Sequence, residues 1–124
     1  MALRCLIVDD NHEFLAAASK LLEQEGVSVV GVASTSADAI QMTAELQPEV
    51  ILVDVYLGEE SGFDLAHRLA EGPDGVQSTV ILVSTYAHGD LAEVIAANPA
   101  IGFLSKSDLS GRAIHTVLGL TDGP

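Results

Sequence analysis

The feature that most constrains this chain is a series of five short apolar runs, each separated from the next by a segment with helical spacing. The runs are Cys5–Val8, Val27–Ala33, Val50–Val53, Val80–Val83 and Ile101–Leu104. Continuous β-branched runs of this length are typical of strands that are buried on both faces of a parallel sheet. The second run alternates more than the others, because Ser28 and Gly31 interrupt it, and we expect it at the edge of the sheet.

Between the runs, apolar residues recur at intervals of three and four, which predicts five amphipathic helices. Their predicted apolar faces are Phe14, Ala18, Leu21 and Leu22; Ala37, Ile40 and Ala44; Leu65, Ala66 and Leu69; Leu91, Val94 and Ile95; and Leu109, Ala113, Ile114 and Val117. We expect Gly26 to end the first helix and Ser107 or Asp108 to cap the last. Strands that alternate with helices in this way predict an α/β fold with a doubly wound, five-stranded parallel sheet.

Composition and charge exclude several classes of protein. The formal net charge is −13, and the five basic residues are scattered, so the chain has no basic face with which to bind nucleic acid directly. No apolar run reaches the roughly 18 residues of a membrane span, and no signal peptide is apparent. The single cysteine, Cys5, lies in an apolar run, which is typical of a buried thiol in a reducing compartment. We expect one cytoplasmic domain over residues 1–120, followed by a tail at 121–124.

Polar residues follow four of the predicted strands. Asp9 and Asp10 follow the first strand, Asp54 the third and Ser84 the fourth, and Lys106 comes near the end of the fifth. Since parallel strands joined by right-handed crossovers end at the same edge of a sheet, we expect these side chains to converge. Taken singly, each has a local explanation, because an aspartate after a strand is often a helix N-cap. Together they predict a site.

The chemistry of these residue types favours phosphoryl transfer. Clustered carboxylates repel one another, and a hard divalent cation such as Mg²⁺ relieves that repulsion through oxygen ligands. A carboxylate can also act as a nucleophile towards phosphorus. Phosphoryl transfer then needs positioning and positive charge, which the cation and Lys106 would supply while Ser84 donates a hydrogen bond.

At these residues the chain resembles the response-regulator receiver family of two-component signalling. The matching segments are Leu6-Ile7-Val8-Asp9-Asp10, Ile51-Leu52-Val53-Asp54-Val55, Ser61-Gly62-Phe63-Asp64-Leu65, Val80-Ile81-Leu82-Val83-Ser84 and Gly102-Phe103-Leu104-Ser105-Lys106. The segment Lys106-Ser107-Asp108-Leu109 resembles the NarL/LuxR-type subfamily, which normally carries a DNA-binding domain. The resemblance implies a flavodoxin-like fold with strand order 2-1-3-4-5.

The resemblance also implies a role for each matching position. Asp54 would be the phosphoacceptor, and Mg²⁺ would be held by Asp9, Asp10, Asp54 and the backbone carbonyl of Tyr56. Lys106 would contact the phosphoryl group, Ser84 would be the switch hydroxyl and Phe103 its aromatic partner. The donor would be a phosphohistidine on a sensor histidine kinase or a phosphotransfer protein. The fourth helix, fifth strand and fifth helix, residues 87–118, would form the output face and a possible homodimer interface.

Two tyrosines bear on how long the phosphoryl group would last. Tyr56 and Tyr86 stand two residues after Asp54 and Ser84, at positions that in this family line the path of the hydrolytic water. We expect bulky side chains there to slow dephosphorylation. The alternative, that both rings simply cover the rim of the crevice, is about as well supported.

Two further alternatives stay open. A Mg²⁺-dependent phosphohydrolase could use Asp54 as nucleophile on external substrates, although Tyr56 stands where such enzymes keep a second acid. The chain could also be either the receiver of a longer transcription factor, which the resemblance around Lys106 slightly favours, or a single-domain regulator.

Overall fold

A computed structural model describes residues 3–57, 60–70, 79–84, 101–106 and 109–117. The strands are β1 (Leu3–Val8), β2 (Val27–Ala33), β3 (Val50–Asp54), β4 (Tyr56–Leu57), β5 (Glu60–Ser61), β6 (Thr79–Ser84) and β7 (Ile101–Ser105). The helices are α1 (His12–Gln24), α2 (Ser36–Leu46), α3 (Gly62–Ala70) and α4 (Gly111–Val117). Thus α4 corresponds to the fifth helix predicted from the sequence, and the predicted fourth helix lies outside the described residues.

The five predicted strands form one parallel sheet in the order β2-β1-β3-β6-β7. When the small β4–β5 pair is set aside, this is the expected order 2-1-3-4-5, and the prediction of an edge position for Val27–Ala33 is confirmed. β3 therefore lies at the centre of the sheet. Its carboxyl end is flanked by the ends of β1 and β6, which is where the candidate residues of the site lie.

Helices cover both faces of the sheet, as expected of a doubly wound fold. One buried cluster joins Ile51 and Val53 of β3 to residues of α2 and α3, and we call it the α2/α3-side core. The other joins Val50 and Leu52 to residues of α1 and α4, and we call it the α1/α4-side core. Because successive side chains of a strand point to opposite faces, a continuous apolar run serves both cores at once.

The predicted helix faces are confirmed in part. Leu22 and Ala18 of α1 are buried, but Leu21 is 38% exposed, so its assignment to the buried face was wrong. In α2 the buried residues are Ala39 and Thr43. The prediction placed the buried face on the wrong side of the helix, because Ala37 and Ala44 are exposed. An 11-residue helix that contains three alanines has several nearly equivalent apolar stripes, and packing on β2 selects one of them.

The start of the last helix also differs from the prediction. α4 begins at Gly111, and the Ser110 hydroxyl accepts a hydrogen bond from the Ala113 backbone N–H at 2.9 Å. The Ser110 side chain therefore caps α4, and the predicted caps Ser107 and Asp108 lie outside the described residues. In α3, Leu65 and Leu69 are buried as predicted. None of the helices in the described part of the chain is long and apolar enough to span a membrane.

Candidate functional site

Three aspartates meet at the carboxyl edge of the sheet. Asp9 and Asp10 follow β1, and Asp54 is the last residue of β3. One carboxylate oxygen from each lies within 4.8 Å of the other two. Asp9 is fully buried, Asp54 is 8% exposed and Asp10 is exposed. The convergence predicted from the sequence is confirmed for these three residues, and it concentrates negative charge at the end of the central strand.

Lys106 brings the compensating positive charge from the far side of the site. It follows β7, and its Nζ atom lies 2.8 Å from Asp9 Oδ2 and 3.8 Å from Asp54 Oδ1. Its side chain is 16% exposed, so the ammonium group is largely withdrawn from water. Lys106 lies 97 positions after Asp9 in the sequence, and only the parallel sheet brings them into contact.

The position of Asn11 indicates whether the neighbouring Asp10 caps the first helix or is available as a metal ligand. The Asn11 side chain accepts hydrogen bonds from the backbone N–H groups of Glu13 and Phe14 and so caps α1. The backbone N–H of Asn11 in turn donates to Asp9 Oδ1 at 2.8 Å. Asp10 is therefore not needed as the cap, and its exposed carboxylate is left at the mouth of the cluster.

The carboxylates fit a hard divalent cation. Asp9 Oδ2 is buried, and it accepts no hydrogen bond from the described residues. Its 2.8 Å contact with Lys106 is therefore an ion pair outside hydrogen-bond geometry. A buried anionic oxygen without a hydrogen bond, beside two further carboxylates, is an arrangement that an oxygen-preferring cation such as Mg²⁺ would stabilise.

The backbone after Asp54 folds back on itself in a way that the sequence did not predict. β4 and β5 form a two-residue antiparallel hairpin in which Tyr56 pairs with Ser61. The Gly62 N–H then donates to the Val55 carbonyl at 2.8 Å. A Cβ atom on Gly62 would overlap the Asp54 carbonyl oxygen, so only glycine fits there. The hairpin and Gly62 therefore fix the backbone that carries Asp54.

The remaining predicted site residues are placed only by their backbones or not at all. Ser84 ends β6 and pairs with Ser105, one residue before Lys106, while Phe103 pairs with Leu82. The side chains of Ser84, Phe103 and Tyr56 are outside what the structure describes, and so is all of Tyr86.

One contact of the site was missed from the sequence. The Lys106 Nζ atom lies 4.3 Å from the centroid of the Phe14 ring. Phe14 was assigned only to the apolar face of the first helix. Its place in the first turn of α1, four residues after Asp10, is the signal that could have pointed to the site.

Residues 5–117 match the family model of the response regulator receiver domain. The chain therefore belongs to the response regulator receiver family, and it is a receiver domain of a two-component system. Phosphoryl transfer to an aspartate in the presence of Mg²⁺ is general in this family. The fold and the resemblance to NarL/LuxR-type receivers are confirmed as well.

Three similar proteins illustrate the range of the family. The chain is 30% identical over 116 residues to the transcriptional regulatory protein YdfI of Bacillus subtilis (strain 168), which covers 92% of this chain and 53% of YdfI. It is 33% identical over 93 residues to a protein-glutamate methylesterase/protein-glutamine glutaminase of Halobacterium salinarum, which covers 74% of this chain and 26% of that protein. The signal receiver domain of the response regulator NarL from Mycobacterium tuberculosis superposes with a TM-score of 0.77 at 25% identity, covering 99% of this chain and 98% of that one. The chain thus spans about half the length of YdfI and about a quarter of the methylesterase.

Proposed function

We propose that Asp54 accepts a phosphoryl group from a phosphohistidine on a sensor histidine kinase or a phosphotransfer protein. The observation that carries this proposal is the meeting of three carboxylates with Lys106 at one edge of the sheet, where Nζ contacts both Asp9 and Asp54. Such a site binds a cation and a phosphoryl group together, because it supplies oxygen ligands on one side and an ammonium group on the other.

The position of Asp54 favours it over its two neighbours as the acceptor. β3 is the central strand, so Asp54 lies between the end of β1, which carries the other aspartates, and the ends of β6 and β7. Asp9 is buried, with one oxygen bonded to the Asn11 N–H and the other in contact with Lys106. Asp10 is exposed and lies at the margin. Asp54 thus lies between the aspartates that follow β1 and the strand that leads to Lys106.

We propose Mg²⁺ as the cofactor, held by Asp9, Asp10, Asp54 and the backbone carbonyl of Tyr56. When bound, the cation neutralises charge on the carboxylates and on the phosphoryl oxygens. An oxygen of Asp54 forms the new P–O bond as the P–N bond of the phosphohistidine breaks, and the leaving imidazole keeps the electron pair. Lys106 contacts the transferred group, since its ammonium already lies 3.8 Å from Asp54 Oδ1.

The signal would leave the site through the strands that end beside it. Ser84 ends β6, next to Asp54, and Phe103 lies on the neighbouring strand. We assign Ser84 as the switch hydroxyl and Phe103 as the aromatic side chain that follows its movement. Residues 87–118 would then form the face that contacts an output domain, a partner or a second copy of the chain.

The output is proposed to be transcriptional regulation. YdfI, which is named a transcriptional regulatory protein, is about twice as long as this chain. We therefore propose that the receiver, residues 1–120, controls a DNA-binding domain in a longer protein, and that this acidic chain does not itself contact nucleic acid. We propose that this chain catalyses only its own phosphorylation and dephosphorylation. We also propose that it works in the cytoplasm, where the kinase domain of its partner acts.

The assignment of Asp54 can be tested by intact-mass measurement after incubation with a small phosphodonor such as acetyl phosphate. We expect the mass of one phosphoryl group to be added with Mg²⁺ and not after chelation. Asp54→Asn should abolish the addition. Glu23→Gln is the matched control, because this exposed carboxylate lies near the far end of α1, roughly 15 Å along the helix axis from its start. Labelling that persists in Asp54→Asn would contradict the assignment.

The same preparation separates a receiver from a phosphohydrolase. A receiver takes up one phosphoryl group per chain and releases it slowly. A phosphohydrolase would release many equivalents of phosphate from a substrate such as p-nitrophenyl phosphate, and that release would depend on Asp54. Multiple turnovers of this kind would contradict the proposal.

We also propose that Tyr56 and Tyr86 lengthen the life of the phosphorylated state by shielding the acyl phosphate from water. Replacing both with serine should speed the loss of the label, measured by mass after the phosphodonor is removed. An unchanged decay rate would show that the two rings do not control water access.

A further inference from the structure

Among the described residues, the ammonium group of Lys106 contacts two carboxylates and one aromatic ring. Its Nζ atom lies 2.8 Å from Asp9 Oδ2, 3.8 Å from Asp54 Oδ1 and 4.3 Å from the centroid of the Phe14 ring. The face of an aromatic ring attracts a cation through its quadrupole, and the attraction is stronger when the cation is withdrawn from water. Here the lysine side chain is 16% exposed, so the contact with the ring is largely desolvated.

Phe14 is held in place by the residues that hold Asp9. The Phe14 backbone N–H donates to Asn11 Oδ1 at 3.1 Å, and the Asn11 N–H donates to Asp9 Oδ1 at 2.8 Å. The Phe14 side chain is partly buried against the α1/α4-side core. The ring therefore has a fixed position relative to the aspartates, from both its backbone and its packing.

The carboxylate contacts of Lys106 compete with the proposed metal site, whereas the ring contact does not. Asp9 Oδ2 is both the nearest partner of the ammonium and a proposed metal ligand. A carboxylate oxygen that binds a divalent cation has less negative charge to offer a lysine, and the cation itself repels the ammonium. The aromatic face keeps its attraction for the lysine whether or not the carboxylates are engaged.

We propose that Phe14 is a positioning residue that holds the ammonium of Lys106 beside Asp54 for contact with the phosphoryl group. This inference rests on the proposed phosphoacceptor function of Asp54. The ring contributes no atom to the reaction. It keeps the lysine at the site when Asp9 is engaged by a cation, and it does so through a contact that an aliphatic side chain cannot make.

The test compares Phe14→Leu with Phe14→Tyr by calorimetric titration with beryllium fluoride, a mimic of the phosphoryl group, at saturating Mg²⁺. We expect Phe14→Leu to weaken binding of the mimic by about three- to tenfold, which is the size of one partly desolvated cation–π contact. Phe14→Tyr should retain wild-type affinity. The affinity for Mg²⁺ alone should not fall in either variant, because the ring does not ligate the metal. Leu21→Ala, an exposed truncation on the same helix, is the control and should bind like wild type.

A double-mutant cycle with Lys106→Ala shows whether the ring acts through the lysine. If it does, Phe14→Leu causes no further loss of mimic affinity once Lys106 is absent. Equal losses in both backgrounds would show a merely structural role and overturn the inference, as would a Phe14→Tyr variant that behaves like Phe14→Leu. Thermal unfolding of each variant identifies any general loss of stability.

The two proposals fail in distinguishable ways. A wild-type chain that neither binds the mimic nor takes up a phosphoryl group would remove the proposed function, and the role of Phe14 with it. A wild-type chain that does both, while Phe14→Leu binds the mimic equally well, would remove the role of Phe14 alone.

Discussion

The interior of β3 buries apolar side chains, whereas the carboxyl end of the same strand carries a charged one. Val50, Ile51, Leu52 and Val53 are all buried among apolar residues of the two cores. One residue later, Asp54 forms a cluster of three carboxylates with Asp9 and Asp10. Among the described residues, Lys106 is the cation that contacts this cluster. The interior gains stability from burial, whereas the end accepts charge repulsion that a cation would relieve. Stability and the proposed function thus depend on different residues of the same strand.

The largest effect that would test this separation concerns Cys5, whose thiol is buried in the neighbouring strand β1. Burial raises its pKa from 9.0 to about 12. At pH 8 we expect Cys5 to react with iodoacetamide roughly a thousandfold more slowly in the folded protein than in denaturant, because three pKa units lower the thiolate fraction by that factor. Similar rates in both states would show that the interior beneath the site is open to solvent.

The same shift sets the direction of a pH effect on stability. The folded-state pKa of Cys5 is raised above its unfolded value of 9.0. The stability that the neutral buried thiol contributes is therefore fully present below pH 9 and is lost as the pH rises towards 12. Cys5→Ala should remove this part of the alkaline dependence in chemical denaturation.

The next effect is the loss of an apolar side chain from the interior. Leu52 is 1% exposed in the α1/α4-side core, so Leu52→Ala should lower the free energy of unfolding by about 3 kcal/mol through lost burial and the cavity left behind. Val32→Ala is the control in the edge strand β2, where the side chain is 43% exposed, and should cost less than about 1 kcal/mol. Urea denaturation measures both, and equal losses would contradict the distinction between interior and edge.

Gly62→Ala tests how firmly the backbone is held where the apolar interior of β3 meets its charged end. The new Cβ would meet the backbone of Asp54 and Val55, and backbone cannot move aside as a side chain can. We expect a loss of about 2 kcal/mol in the free energy of unfolding and slower phosphoryl uptake, since Asp54 must shift. Gly111→Ala is the matched control, because its nearest contacts are the side chains of Glu25 and Val27 at 3.1 and 3.3 Å. Normal uptake in Gly62→Ala would show that the Asp54 backbone tolerates displacement.

The smallest effect should come from the charge cluster itself. Asp10→Asn removes one of three neighbouring negative charges, so we expect the free energy of unfolding without Mg²⁺ to rise by less than about 1 kcal/mol. The stabilisation gained on adding Mg²⁺ should shrink, because a ligand is lost. Thermal unfolding with and without Mg²⁺ measures both, with Glu23→Gln as the control. An unchanged response to Mg²⁺ would exclude Asp10 as a ligand.

The features that could be predicted from the sequence are those with a strong local signal. The five strands were found because each is a short and mainly apolar run, and Asp9, Asp10, Asp54 and Lys106 were found because polar residues follow those runs. The phase of α2 was predicted wrongly, since its alanines and Ile40 allow several stripes. The cap of α4 was misplaced because Ser107, Asp108 and Ser110 all have side chains able to cap, and the helix begins only where Gly111 can approach Glu25 and Val27.

The sequence by itself determined which residues could form strands and which polar groups would stand at their ends, because hydrophobic periodicity and strand direction are local properties. Only the tertiary structure decided which oxygen of Asp9 faces Lys106, how the backbone after Asp54 is held by Gly62, and that the Phe14 ring lies against the lysine. These contacts depend on distances between elements that are remote in the chain. Such distances are set by the packing of α1 and the parallel strands, and they cannot be predicted from the periodic pattern of apolar residues in the sequence.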